Sequence, residues 1–232
     1  MIIDIHVHAR GGDDPQAVLK GMDAAGVDKL VLFSAAPLRD GREPIAMRDS
    51  AADVARVAAA APDRIIPFLW VEPLLPGAVD DLDYAVNDLG IKGVKMIPNH
   101  WYPTDEAVFP VYEKIQELGV PIIFHSGILY GYEDGSRFCQ PVLFEALIHF
   151  PGIKFALAHI SWPWVDECLA VFGRFEAQWE AYRSRRPAVK ALQMYIDLTP
   201  GTPPAWREDA LRKALAFVRH DHLLWGSDTV PA

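Results

Sequence analysis

The amino-acid sequence predicts an α/β fold, a (β/α)8 TIM barrel. Eight short runs rich in β-branched residues alternate with helical patterns along the 232 residues. Such alternation indicates parallel strands joined by crossover helices, and eight units favour a closed barrel over the alternative, a doubly wound open sheet. Apolar residues make up 51% of the chain, which is enough to bury a large core. We therefore expect residues 1–232 to form a single domain.

The first half of the chain carries four predicted strands, each followed by a helix. Gly26 and Gly119 suit the left-handed residue that often follows a helix, and Pro62 stops the second helix. In chain order, the predicted strands are residues 2–7, 29–34, 65–71 and 93–97, and the predicted helices are residues 15–25, 45–61, 78–89 and 108–118.

The second half repeats this pattern with one irregular insertion, residues 173–190, which we expect to be additional helix. Cys139 and Cys168 fall in predicted helices, where we expect small buried side chains rather than a disulfide. The predicted strands are residues 121–125, 154–159, 194–198 and 223–226, and the predicted helices are residues 141–150, 163–172 and 211–218.

The charge and composition restrict the classes of partner. The net charge is −9, from 22 basic and 31 acidic residues, which argues against nucleic acid or an anionic membrane as the main partner. No apolar run approaches the roughly 20 residues of a membrane span. Because there are two cysteines and no recognisable signal peptide, we expect a cytoplasmic protein whose partner is a small-molecule substrate.

Five residues of metal-ligand type fall at the carboxyl ends of predicted strands. His6 and His8 end the first strand, His125 the fifth, His159 the sixth and Asp228 the eighth. In a barrel these ends converge on one face, where active sites form. Residues two apart on a strand point to the same side, so the first two imidazoles can share one ion. The joint pattern predicts a site for a divalent metal.

Two further residues have more than one interpretation. Lys95, near the end of the fourth strand, can be a buried stem with its ammonium at the barrel mouth, a partner for a substrate carboxylate, or a carboxylated lysine that bridges two metals. His100, in the following loop, is a candidate for the substrate pocket. Arg10, Arg39 and Arg42 are candidate carboxylate clamps. The remaining histidines are expected to be surface or capping residues: His149, His220 and His222.

Several segments together resemble the amidohydrolase superfamily. They are IDIHVH, GIKGVKMIP, VPIIFHSG, FALAHISWPWVDE and LLWGSD, and their order covers nearly the whole chain. Within the superfamily the chain is similar to the amidohydrolase-2 group, which includes aminocarboxymuconate-semialdehyde decarboxylase-like proteins.

The resemblance implies a role for each site residue. His6, His8, His125 and Asp228 would bind the metal, Asp228 would also handle a proton, and His159 would act as acid and base. In two-metal relatives the strand-six histidine is a ligand and a strand-four lysine bridges, so both metal counts stay open. We expect one divalent ion, with Zn2+ first and Mn2+ or Fe2+ as alternatives.

The implied reaction is hydrolysis of an amide, lactone or similar bond of a small molecule. A metal lowers the pKa of bound water from about 15.7 towards about 7, and Asp228 or His159 would accept the proton. The alternative enzyme is a non-oxidative decarboxylase or a hydratase acting on a small unsaturated carboxylic acid. The alternative from another class is a barrel that binds a ligand without catalysis.

The end of the chain departs from the usual pattern of this family. Such barrels continue past strand eight into an eighth helix, whereas this sequence stops at Ala232, shortly after Asp228. We therefore expect the eighth helix to be missing, either because the sequence is truncated or because a partner covers the seam. Apolar surface left uncovered at that seam would favour a homo-oligomer.

Overall fold

The computed structural model describes residues 1–38, 44–185 and 191–230. Eight parallel strands alternate with helical segments along the chain, which is the (β/α)8 fold class predicted from the sequence. Arg39 and Arg42, two of the candidate carboxylate clamps, lie outside the described residues. In the described part after the eighth strand, up to residue 230, no helix follows.

The described chain divides into two units, of which the first comprises Met1–Met96 together with Trp225–Ala232. Its four strands pair in parallel and in chain order. The strands are β1 (Ile3–His8), β2 (Lys29–Phe33), β3 (Ile65–Trp70) and β4 (Gly93–Met96), and the helices are α1 (Pro15–Ala25), α2 (Met47–Ala59) and α3 (Ala78–Asn87).

Local sequence explains where the elements of this unit begin and how they fit. The side chain of Asp14 caps α1 by accepting the Gln16 N–H, and Gly26 ends the helix in the left-handed conformation that was predicted. Gly93 of β4 lies opposite Phe68 of β3. A Cβ at Gly93 would stand 2.2 Å from the Phe68 ring, so only glycine leaves room for that ring.

The second unit is Ile97–Leu224. Its strands also pair in parallel and in chain order. The strands are β5 (Ile122–Phe124), β6 (Phe155–Leu157), β7 (Met194–Asp197) and β8 (Leu223–Leu224), and the helices are α4 (Phe109–Leu118), α5 (Val165–Tyr182) and α6 (Pro204–Phe217).

The predicted fifth helix is a 3₁₀ segment, Pro141–His149, rather than an α-helix. The buried amide of Gln193 donates to the carbonyl oxygens of Leu147, Phe150 and Ile153, at 2.9 to 3.1 Å. This side chain therefore satisfies carbonyl groups at the end of the segment and beyond it. A segment whose last carbonyl groups have such a partner can end in the tighter 3₁₀ winding instead of a regular α-helical turn.

The predicted boundary at Gly173 was wrong, because α5 runs unbroken from Val165 to Tyr182. The glycine lies inside the helix, and a Cβ there would stand 3.1 Å from the ring of Phe217 on α6. Gly173 thus allows two helices to approach closely, and it does not end one of them.

Two further predictions of local environment need correction. Cys139 is buried as expected, but it follows a short 3₁₀ turn instead of lying in a helix, whereas Cys168 is buried within α5. Burial raises the pKa of the Cys168 thiol to about 12. His222 was predicted to be a surface or capping residue. The surface interpretation was wrong, because His222 is 8% exposed and stacks on Tyr195 with ring centroids 4.3 Å apart. Among the residues described, no helix combines the length and apolar character needed to cross a bilayer.

Candidate metal centre

The end of β1 carries two histidines whose rings lie side by side. His6 is fully buried, whereas the side chain of His8 is 21% exposed. Their ring centroids are 5.1 Å apart. The pairing of β1 with β2 shifts register between Asp4 and Val7. Such irregularities redirect side chains and are common beside functional sites.

Asp228 lies beside these histidines, although it belongs to the C-terminal segment of the first unit. Its backbone N–H donates to the carbonyl oxygen of His6 at 2.9 Å, and the N–H of His8 donates to Thr229 at 2.9 Å. The segment therefore lies along β1. Asp228 has a φ of +56°, a left-handed conformation that aspartate tolerates better than most residues.

The three side chains present their donor atoms to one another. Oδ1 of Asp228 lies 3.4 Å from Nε2 of His6 and 3.4 Å from Nε2 of His8. These separations exceed an ordinary hydrogen bond. They match the edge of a tetrahedron, because donors about 2.1 Å from a zinc ion stand about 3.4 Å apart. Among the described residues, these three form a group that could hold a metal ion.

Aromatic rings hold the two imidazoles in place. The Phe33 ring, fully buried on β2, meets His6 edge-on at 4.9 Å and His8 at 5.1 Å. Trp70 packs against His8 at 5.7 Å. Because these aromatic side chains pack against the two imidazole rings, the donor nitrogens of the imidazoles are oriented before any ligand binds.

Lys95, on β4, brings an amino group to this cluster. The side chain is fully buried, and Nζ lies 3.2 Å from Nε2 of His6 and 5.0 Å from the centre of the Phe33 ring. An ammonium group can only donate hydrogen bonds. If Lys95 is protonated, Nε2 of His6 is therefore the acceptor in this contact, and the lone pair that faces Lys95 is the same one that a metal ion would need.

The second unit holds another pair of site histidines. His125 directly follows β5, and His159 lies two residues after the end of β6. Their ring centroids are 4.9 Å apart. Nε2 of His125 lies 3.1 Å from the carbonyl oxygen of Ile128. Nδ1 of His159 lies 3.2 Å from Oγ1 of Thr199, which is itself buried.

An unusual backbone presents His159. This residue, Ile160 and Ser161 all have positive φ, at 63°, 49° and 55°, a conformation that β-branched residues in particular avoid. A hydrogen bond between the hydroxyl groups of Ser126 and Ser161, at 2.7 Å, supports the turn. Gly201 lies directly against the imidazole, since a Cβ there would stand 2.5 Å from Cβ of His159.

Two further candidates from the sequence, His100 and Arg10, lie at the surface of the protein. His100 is exposed, and its Nδ1 contacts Oδ1 of Asn99. Arg10 is exposed. Sequence reasoning missed two supporting residues, Asp4 and Thr199. A signal for Asp4 was available, because an acidic residue in an apolar strand just before the H-x-H pair needs a buried partner.

The chain is similar in sequence or in fold to several known proteins. Dihydroorotase from Serratia proteamaculans is 22% identical over 142 residues, a match that spans 57% of this chain and 40% of that relative's length. An uncharacterized TIM-barrel protein from Bordetella bronchiseptica has a TM-score of 0.70 at 22% identity, covering 98% of this chain and 85% of its own.

Two enzymes of different named activity share the fold at lower identity. The first is 5-carboxyvanillate decarboxylase from Novosphingobium aromaticivorans, complexed with manganese and a nitrobenzoic acid. Its TM-score is 0.68 at 15% sequence identity, and the match covers 98% of this chain and 86% of that chain. The second is a probable 2-pyrone-4,6-dicarboxylic acid hydrolase from Acinetobacter baumannii with citric acid bound. Its TM-score is 0.60 at 15% sequence identity, and the match covers 98% of this chain and 83% of that chain.

The match to a family model decides the classification. The model described as Amidohydrolase (Amidohydro_2) covers residues 3–231, from the first strand to beyond Asp228. This coverage confirms the resemblance drawn from the motifs, and the chain belongs to the amidohydrolase family.

Proposed function

We propose that this protein is a metal-dependent hydrolase that attacks an amide, lactone or similar bond of a small molecule with water. The observation that carries the proposal is the donor triad of His6, His8 and Asp228, whose 3.4 Å separations suit one ion. Membership of the amidohydrolase family supports an enzyme of this type.

The proposed ligands are His6, His8 and Asp228, with His125 as the fourth. His125 is supported by its position directly after β5 and by its Ile128 contact: if Nε2–H donates there, Nδ1 carries the lone pair that a metal requires. Two or three imidazoles and one carboxylate suit Zn2+, Mn2+ or Fe2+, and we propose a single ion, Zn2+ first. A bound ion would supply Lewis acidity, which acidifies water and stabilises negative charge on a carbonyl oxygen.

The chain's own residues would move the protons. Asp228 lies beside both imidazoles and would accept the proton of the attacking water. His159 would donate a proton to the leaving group. Thr199 contacts its Nδ1, so Nε2 is the nitrogen oriented for exchange with substrate.

Lys95 suggests that the substrate carries a carboxylate. Its buried ammonium adds a full positive charge beside the donor triad. A carboxylate of the substrate would accept a charge-assisted hydrogen bond from this ammonium, which would fix the orientation of the substrate.

The same feature favours one alternative, non-oxidative decarboxylation or hydration of a small unsaturated carboxylic acid. In a decarboxylation, His159 would protonate the carbon that loses CO2, so that the electrons of the broken C–C bond end in the new C–H bond. The fold shared with 5-carboxyvanillate decarboxylase is consistent with this alternative.

Product analysis with metal-free and reloaded protein separates these reactions. The protein would be stripped with a chelator, reloaded with Zn2+ or Mn2+, and given 2-pyrone-4,6-dicarboxylate or 5-carboxyvanillate. We expect the reloaded protein alone to open the lactone, which a pH-stat detects as released acid without CO2. Metal-dependent CO2 release from the carboxyvanillate would favour the carboxy-lyase, and equal rates with stripped protein would contradict both.

Replacing Lys95 with methionine should weaken substrate binding and spare the metal. We expect Lys95→Met to raise KM for a carboxylate substrate about 10- to 100-fold, because a hydrogen bond between charged groups contributes about 1.5–3 kcal/mol. Steady-state kinetics and metal content would be measured together. Lys92→Met, an exposed position just before β4, is the matched control. An unchanged KM would reject the substrate role, and loss of a second metal ion would support the bridging role.

The other sequence-based expectations remain proposals. We propose that residues 1–232 act as a single domain and that the protein works in the cytoplasm on a small molecule. We further propose that it does not use nucleic acid or membrane as a partner and that it forms a homo-oligomer.

A further inference from the structure

Asp4 is a buried acidic residue near the start of β1. It is 4% exposed and lies two residues before His6 on β1. A buried carboxylate is costly unless hydrogen bonds compensate it. Here one oxygen, Oδ1, accepts two backbone N–H groups at 3.0 Å each, from His6 and from Ser227.

The two amides belong to the two segments that build the donor triad. His6 is itself a donor, and Ser227 immediately precedes Asp228. The Asp4 contact with His6 spans the stretch where β1 shifts register against β2. The contact with Ser227 fixes the turn that leads into the left-handed Asp228. One oxygen atom therefore ties the backbone of one donor to the backbone beside another.

We propose that Asp4 is a positioning residue of the metal centre, which sets the separation between His6 and Asp228 without touching the ion. The inference rests on the proposed metal role of the triad. Backbone bonds alone, such as Asp228 N–H to His6 O at 2.9 Å, fix the two segments along the strand. The Asp4 bridge adds the constraint across the irregular stretch, where a small shift would change the 3.4 Å donor separation.

The acceptor geometry, rather than the charge, is the active feature of this residue. An asparagine keeps a carbonyl oxygen in the position of Oδ1 and can still accept both N–H groups. An alanine leaves both amides without this acceptor, and the turn must then move to satisfy them elsewhere. The two substitutions therefore separate positioning from a simple effect of negative charge.

Zinc affinity of the stripped protein tests the inference independently of any activity. A chelator-competition titration would compare the parent with Asp4→Ala, Asp4→Asn and Val57→Ala. The last removes fully buried apolar atoms on α2 and controls for lost stability. We expect Asp4→Ala to bind Zn2+ about 10- to 100-fold more weakly, as is usual for residues that orient ligands, whereas Asp4→Asn and Val57→Ala keep the parent affinity.

Each other outcome identifies which idea is wrong. Parent affinity in Asp4→Ala, or an equal loss in Asp4→Asn or Val57→Ala, would overturn the positioning role and leave the metal centre standing. A parent protein that binds none of Zn2+, Mn2+ and Fe2+ would overturn the proposed metal centre itself, and the positioning role with it. If Asp4→Ala does not fold, Asp4→Ser replaces it, since the shorter hydroxyl cannot reach both amides.

Discussion

Asp228→Asn is expected to abolish tight metal binding and nearly all activity while the fold is retained. Asp228 is the anionic donor of the triad and lies 3.4 Å from both imidazoles. An asparagine preserves the left-handed backbone at φ +56° but removes the negative charge that offsets the ion. Substituting a residue that only orients a ligand already weakens metal affinity about 10- to 100-fold. We therefore expect the substitution of a direct ligand to weaken the affinity more than about 100-fold.

The measurements are zinc affinity, metal-dependent melting temperature and turnover of the best substrate. Asp88→Asn removes the same charge from an exposed position at the end of α3 and should change none of them. A variant at residue 228 that keeps its metal but loses turnover would show that Asp228 handles protons without being a ligand. Unchanged metal affinity and turnover together would refute the proposed centre.

The strands and the carboxyl-end histidines were predictable because they depend on short-range patterns. A β-branched run that ends in H-x-H predicts both a strand and the histidines at its carboxyl end. In the (β/α)8 fold, the carboxyl ends of the strands are where active-site residues lie. Gly26 and Gly119 end their helices in the left-handed conformation for equally local reasons. The family assignment follows from the order of the same segments.

The features that sequence did not predict depend on distant residues. Pro141–His149 becomes a 3₁₀ segment where Gln193 binds nearby carbonyl groups, and nothing in the segment itself signals that partner. His222 is buried because Tyr195 lies in the neighbouring strand. Likewise, the hydrogen bond from Ser227 to Asp4 joins residues at opposite ends of the chain.

His159→Asn is expected to reduce turnover about 100- to 10,000-fold, the usual contribution of a general acid or base, while zinc affinity stays at the parent value. Asparagine tolerates the left-handed φ of 63° at this position, and its amide can still meet Thr199, which contacts Nδ1 of the histidine. The substitution therefore removes the titratable ring and keeps the turn. Turnover and metal content would be measured on the same preparations.

An exposed histidine provides the control for His159→Asn, and two other outcomes would change the role proposed for His159. His149→Asn changes an exposed histidine and should leave turnover unaffected. If His159→Asn loses metal together with turnover, the strand-six histidine is a ligand, as it is in two-metal relatives, and Lys95 becomes the bridge to examine. If turnover stays within a few-fold of the parent, proton transfer does not depend on this ring, and Asp228 must both accept and deliver the proton.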